Sequence, residues 1–407
     1  MTATNELNRK IGNKRLFYIA RDVERATAGL LLAIPNFYII TNDSPYAREL
    51  AKKNKRVVIV KSKKILDTWE MLTLKHKGIK ALKQIKKGDF VMVFKNTEQI
   101  ERICKENNWT LLNPSADLSK IVEEKISQVK WLGPLTKYLP PHRVDVLKNI
   151  VWKKNPFILQ FNRAHTGTGT FLVKNKKQLD ELKQKFPNRE ARVTKFIAGT
   201  MFTNNNVVWG NKILLGNINY QITGEKPFTD NLFATVGNNW KKASLILTPG
   251  QIKQYQKIAT DIGKRLAKNG WKGLFGIDVM LEEKTKKMYL IEINARQPAS
   301  TTFESELQRE NMRHETWNKT QKTPITTFEA HLRALLGVKP NEYELIKIKD
   351  GGQVIKRVGT GTSPSAKKLF KKLEKHAWRV IKYNNSKPGE DEIRYQFLTN
   401  KNDGFTQ

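Results

Sequence analysis

The chain has 407 residues and a formal net charge of +36, with 39% hydrophobic and 9% aromatic residues. That apolar fraction supports large buried cores and excludes a disordered basic tail protein. Cys104 is the single cysteine, so an intrachain disulfide and a cysteine-based metal site are excluded, as suits a reducing compartment. The longest apolar stretch, residues 26–40, is interrupted by Thr27, Pro35 and Asn36 and is too short to span a bilayer. The N-terminus lacks the apolar centre of a signal peptide, so a cytoplasmic protein without membrane contact is expected. Most basic residues are lysines spread along the whole chain, which favours a compositional bias over a dedicated nucleic-acid surface. Anionic ligands such as nucleotides are attracted either way.

The first hundred residues alternate short buried-type strands (15–20, 37–41, 56–60, 89–94) with helices (45–53, 96–108). Alternation of this kind predicts a parallel, doubly wound sheet. No GxGxxG follows the first strand, so the domain is Rossmann-like in outline only. Residues 114–150 read as helical and loop-rich, with Pro140 and Pro141 marking a domain edge. Two strands joined by a Gly- and Thr-rich loop follow (156–173), then a helix (176–185) and a strand (191–197). Further strands are expected near 205–210 and 212–222. A helix over 248–268 starts at the Thr248 cap with Pro249 in its first turn and closes at Asn269-Gly270. The last 69 residues offer strand-like pieces and a final helix capped by Ser363. The fold class is therefore α/β, with α+β lobes after the first domain.

The most informative stretch is LFGIDVMLEEKTKKMYLIEINARQ, residues 274–297. Two alternating runs flank a polar segment, which is a hairpin signal. Centring the turn on Thr285 places Asp278 opposite Glu292, with side chains about 5 Å apart. Asn294 shares their face, and its opposite number, Gly276, leaves room for a ligand. Two acids and an amide oxygen form a hard-oxygen set suited to Mg²⁺ that also binds phosphate. Arg296 can clamp an anion beside it. Ordinary solvated acids fit poorly, because Met280, Leu290 and Gly276 are not surface-like neighbours. A second constellation, NRAHTGTGT (162–170), offers Gly167 and Gly169 backbone N–H groups, the Thr168 hydroxyl and the charge of Arg163 to an anion. No Walker A sequence exists, which excludes a P-loop enzyme.

In this order the motifs resemble the ATP-grasp superfamily, in the branch of biotin carboxylase and the large subunit of carbamoyl phosphate synthetase. The flavour is that of stand-alone amino-acid or peptide ligases with a pre-ATP-grasp domain. The resemblance covers residues 15–340 in layout, and its specific part is IEINAR with Asp278 upstream. It implies a Rossmann-like pre-ATP-grasp domain (1–115), linker helices and a lid lobe (116–190), a large lobe with the metal-binding hairpin (191–338) and a small C-terminal α+β segment (339–407). It implies Asp278, Glu292 and Asn294 as ligands of Mg²⁺ or Mn²⁺, and Arg296 as the arginine steadying an acyl-phosphate. Gly167, Thr168 and Gly169 resemble the lid loop over the phosphates of ATP. Lys195, Phe196 and Ile197 resemble the adenine hinge, and Lys125 the lysine ahead of the lid. Two positions depart from the pattern: Gln160 stands where the first lid strand has a lysine, with Arg163 nearby, and Thr194 where the hinge opens with an acid.

The activity implied is that of an ATP-dependent carboxylate–amine ligase acting through an acyl-phosphate. Its partners are small carboxylates and amines, with no specific nucleic acid, and a homodimer is compatible. The alternatives are a non-specific nucleic-acid or polyanion binder and a catalytically degenerate nucleotide-binding member of the superfamily.

Overall fold

The computed structural model describes residues 3–73, 85–162, 169–314, 322–340 and 343–398. Five strands, β1 (Leu16–Ala20), β2 (Phe37–Asn42), β3 (Val57–Val60), β4 (Phe90–Val93) and β5 (Thr110–Leu111), form a parallel sheet in the order β3-β2-β1-β4-β5. β1 is buried along its whole length because apolar layers cover both faces. The order reverses at β1, so the crevice between the C-terminal ends of β1 and β4 is a topological switch point. The helix Pro45–Lys53 matches its expected span, with Ser44 capping it through the Ala47 N–H.

A four-stranded sheet follows, ordered β6-β9-β7-β8 from β6 (His142–Val146), β7 (Phe157–Phe161), β8 (Thr170–Val173) and β9 (Glu190–Lys195). β6 starts directly after Pro141, where the sequence reading expected only helix and loop. Its side chains are half-exposed on a sheet edge, so no apolar run announces it.

The largest sheet has the order β15-β14-β10-β12-β13-β18-β20-β19, with β11 paired to β10. Its strands are β10 (Gly199–Trp209), β11 (Lys212–Leu214), β12 (Asn219–Thr223), β13 (Thr235–Asn239), β14 (Gly273–Glu282) and β15 (Met288–Asn294), then β18 (Gly352–Arg357), β19 (Arg379–Lys382) and β20 (Asp391–Phe397). Between them β16 (Thr323–Ile325) and β17 (Tyr343–Leu345) form a separate parallel pair. The C-terminal residues thus extend the large sheet, and two strands follow the helix Pro364–His376 where the sequence suggested that helix as the last element. The helix Pro249–Lys268 packs Tyr255, Ile258, Ile262 and Leu266 against one face of the sheet, its start fixed by a Thr248–Gln251 capping box. The helices Thr301–His314 and Thr327–Leu335 cover part of the other face. Among the described residues no helix is long and apolar enough to cross a membrane.

Candidate functional site at the β14–β15 hairpin

Asp278 faces Glu292 and Gly276 faces Asn294 across the hairpin. Toward the turn the register shortens by one residue: Val279 faces Leu290, and Ile291 is left as a bulge. The turn therefore centres between Lys284 and Thr285 rather than on Thr285. Bulge and turn offset each other, and the expected pairing of the two acids survives.

Asp278 is buried, and on its other side Thr203 of β10 gives it a hydroxyl hydrogen bond. Burial, and then the charge of Glu292, push the Asp278 carboxyl up to about 6. Burial acts the same way on Glu292, but Lys125 and Arg296 outweigh it and hold that carboxyl below the usual range. Lys125 Nζ lies 3.0 Å from Glu292 Oε1, and Asn294 Nδ2 is 3.5 Å from Asp278 Oδ2. Arg296 pairs with Glu123, which also takes Lys95, and its guanidinium lies 6.0 Å from the Phe94 ring centroid. Two acids, one amide and two cations are thus brought together from three parts of the chain: Lys125, Asp278 on β14, and the stretch from Glu292 to Arg296. Among the described residues no group of three or more His, Cys, Asp or Glu side chains is placed to hold a metal.

Gln160 on β7 is directly opposite Arg192 on β9. Gln160 Oε1 accepts from Arg192 Nη2 at 2.7 Å and from Nε at 3.2 Å, while Arg192 Nη1 donates to Gln128 Oε1 at 3.1 Å. Only 2% of Arg192 is exposed, and it forms no ion pair among the described residues. Burial pushes its guanidinium down to about 10, and the charge of Glu292 works in the opposite sense. This buried cation, held by amide oxygens alone, was missed in the sequence. Its only signal there was the polar residue within the alternating strand 191–197.

The expected hinge residues lie apart from the acid pair. Lys195 Nζ is 3.2 Å from Glu282 Oε1 near the hairpin turn, Phe196 is exposed and Ile197 is buried. Among the described residues neither Phe196 nor Ile197 uses its backbone in a hydrogen bond, which leaves those groups free for a ligand edge. Gly169 accepts from the Phe161 N–H at 3.1 Å. Arg163, Gly167 and Thr168 lie outside the described residues. Asn162 ties the end of β7 to the segment after the helix Ala116–Glu123: its Oδ1 accepts from the Ile126 N–H at 2.9 Å and its Nδ2 donates to Glu124 at 2.7 Å.

Residues 122–300, the span that holds all these groups except Lys95 and Phe94, match the family model described as ATP-grasp domain. The chain has an ATP-grasp fold. Solved structures of that fold superpose along nearly its whole length. The carboxyaminoimidazole ribonucleotide synthase of Aspergillus clavatus, complexed with ATP, has a TM-score of 0.64 at 15% identity, covering 97% of this chain and 96% of its own. The N5-carboxyaminoimidazole synthetase of Staphylococcus aureus, complexed with ADP, has 0.63 at 13%, covering 96% and 94%. An L-amino acid ligase of Bacillus licheniformis has 0.60 at 15%, covering 95% and 93%. No curated protein matches the sequence. The ATP-grasp fold accounts for the layout of the sheets.

Proposed function

We propose that the protein is an ATP-dependent carboxylate–amine ligase, with Mg-ATP held between the four-stranded lid sheet and the β14–β15 hairpin. The observation that carries this reading is the facing pair Asp278 and Glu292, with Asn294 beside them and Lys125 and Arg296 against them. Divalent magnesium suits this set: the donors are hard oxygens, and two carboxylates face each other across the hairpin. Asp278, Glu292 and Asn294 would hold the metal, which when bound neutralises phosphate charge. Lys125 and Arg192 supply fixed positive charge for the nucleotide phosphates, and Arg192 does from β9 what a lysine at position 160 would do from β7. Gly167, Thr168 and Gly169, with Arg163, close the lid, and the free backbone groups of Phe196 and Ile197 meet the adenine edge.

In the reaction a carboxylate oxygen takes the γ-phosphoryl group and ADP leaves. The amine nitrogen then attacks the acyl carbon, the C–N bond forms, phosphate departs and the amine loses a proton. Arg296 steadies the acyl-phosphate, and most of the rate enhancement comes from positioning and charge. The corresponding regions are 1–115, a lid lobe from 116 that takes in β9 and so ends at Lys195 rather than at 190, and a large lobe to 338 whose sheet is extended by residues 339–407, and the compartment is the cytoplasm. The test is ADP release from Mg-ATP against pools of carboxylates and amines, with product mass as the readout. A mass equal to acid plus amine minus water is expected. ADP release that no carboxylate stimulates, or phosphorylated acid with no amide under any amine, contradicts the reading.

A further inference from the structure

The parallel sheet and the β14–β15 hairpin meet at one acid. Glu123, the last residue of the helix Ala116–Glu123, takes Arg296 Nη1 on its Oε1 and Lys95 Nζ on its Oε2. Arg296 comes from just past the hairpin, and Lys95 from the parallel sheet, two residues beyond the end of β4. Backbone contacts lock the parts around them. The Gln297 N–H donates to the Phe94 carbonyl at 3.3 Å, and Ser119 Oγ donates to the Ala295 carbonyl at 2.7 Å. The two cations are therefore held at a fixed place relative to each other.

One carboxylate shared by two cations leaves the trio with a surplus of one positive charge. Only 8% of the Glu123 side chain is exposed, against 25% for Arg296 and 33% for Lys95. The acid is covered, and the cations keep the accessible surface. An acid at the C-terminal end of a helix also opposes the helix dipole, so Glu123 stands there at a cost that the cations offset. Lys95 Nζ carries three donors and, among the described residues, uses one of them, on Glu123. The charge of Arg296 reaches both Glu292 and Asp278, so the trio lies beside the acid pair. Behind Arg296 is a cavity of about 10 Å³, lined in part by Phe94, Asn96, Ser119 and Ala295, which is too small for a carboxylate. Lys95 instead stands at the crevice beyond the C-terminal ends of β1 and β4, where open α/β sheets bind their ligands.

We propose that Lys95 and Arg296 together form the subsite for the carboxylate that accepts the phosphoryl group, with Glu123 as the positioning residue that holds both cations. A single carboxylate matches the surplus of one charge and accepts charge-assisted hydrogen bonds from both. A triphosphate fits this subsite worse, since its charge far exceeds the surplus and Glu123 repels it. Lys95 lies outside residues 122–300, so the family match does not assign it. The inference rests on the ligase reading and gives the parallel-sheet domain a substrate-binding residue.

Wild type, Lys95→Gln and Lys95→Arg of the full chain are compared in two assays. The first follows melting temperature, with and without Mg-ATP, against acetate, lactate, oxalate and succinate as probes, with chloride at equal ionic strength as the control. At least one carboxylate is expected to raise the wild-type melting temperature saturably beyond chloride. Lys95→Gln should lose that shift, and Lys95→Arg should keep it. The second assay titrates ADP release with the acid found in the carboxylate pools. Lys95→Gln is expected to raise the KM for that acid about tenfold or more, as loss of a charge-assisted hydrogen bond does, without a matching rise in the KM for ATP. Lys95→Arg should restore most of it. No carboxylate shift in the wild type, an equal shift in Lys95→Gln, or a fall in kcat at unchanged KM for the acid overturns the subsite. Failure of Mg-ATP to stabilise the wild type, or ADP release that no acid stimulates, would instead overturn the ligase reading, and the carboxylate shifts would still decide the subsite.

Discussion

In the parallel sheet β1 is buried on both faces, and its polar groups gather beyond its C-terminal end at Asp22, Glu24 and Arg25. In the large antiparallel sheet every strand on the path gives a polar residue to one face, and the acid pair sits within the sheet itself. The difference follows from what each sheet must cover. A parallel sheet with layers on both sides has only strand ends free for chemistry. An antiparallel sheet can give one whole face to a ligand and keep the other for its core. The two meet where Gln297, just past the hairpin, accepts from Tyr18 Oη of β1 at 2.7 Å and donates to the Arg25 carbonyl at 2.8 Å. Substitutions in the two sheets should therefore fail in different ways.

The largest effect is expected on the antiparallel face. Asp278→Asn should lower turnover by about a thousandfold or more, because metal-borne charge stabilisation is worth several kcal/mol. Its melting temperature should stay within a few degrees of wild type, and steady-state ADP release with thermal melts checks both. Phe17→Ala in β1, fully buried and stacked on Tyr38, should instead cost about 3–5 kcal/mol of stability. Denaturant titration should show that loss, with turnover per folded molecule preserved.

Next comes Glu304, a fully buried acid on the helix over the antiparallel face, bonded by Asn205 and Thr327. Burial raises its carboxyl to about 7. Since the folded state holds the proton more tightly than the unfolded chain, stability from this group is present at low pH. It is lost as pH rises from about 4 to 7. Glu304→Gln should remove that fall, leaving the variant more stable than wild type at pH 8 by up to roughly 3 kcal/mol. Melts from pH 5 to 8 on both proteins give the comparison.

The smallest effect is expected at Arg192. Arg192→Lys should raise the KM for ATP about tenfold with little change in kcat, because a positive charge remains but the paired bonds to Gln160 are lost. An unchanged KM would remove Arg192 from the nucleotide site.

The elements that the sequence disclosed well are those with strict periodicity or strong caps. The helices 45–53 and 176–185 match residue for residue, and the acid pairing came from alternation alone. The bulge at Ile291 was invisible because β-branched residues look alike in a paired or unpaired position. The helix Thr301–His314 left no apolar stripe, since it buries Glu304, Ser305 and Gln308 among hydrogen bonds. Arg192 meets Gln160 from 32 residues away, and the polar row takes one or two residues from each of eight strands. Neither has a local pattern, so only the assembled sheet discloses them.

The most direct measurement is calorimetric titration of Mn²⁺ into the protein saturated with a non-hydrolysable ATP analogue. Wild type and Glu283→Gln, altered only at the exposed turn, should bind alike, and Glu292→Gln should bind at least a hundredfold more weakly. Equal metal binding by Glu292→Gln and Glu283→Gln would contradict the assignment of Asp278, Glu292 and Asn294 as the metal–phosphate site.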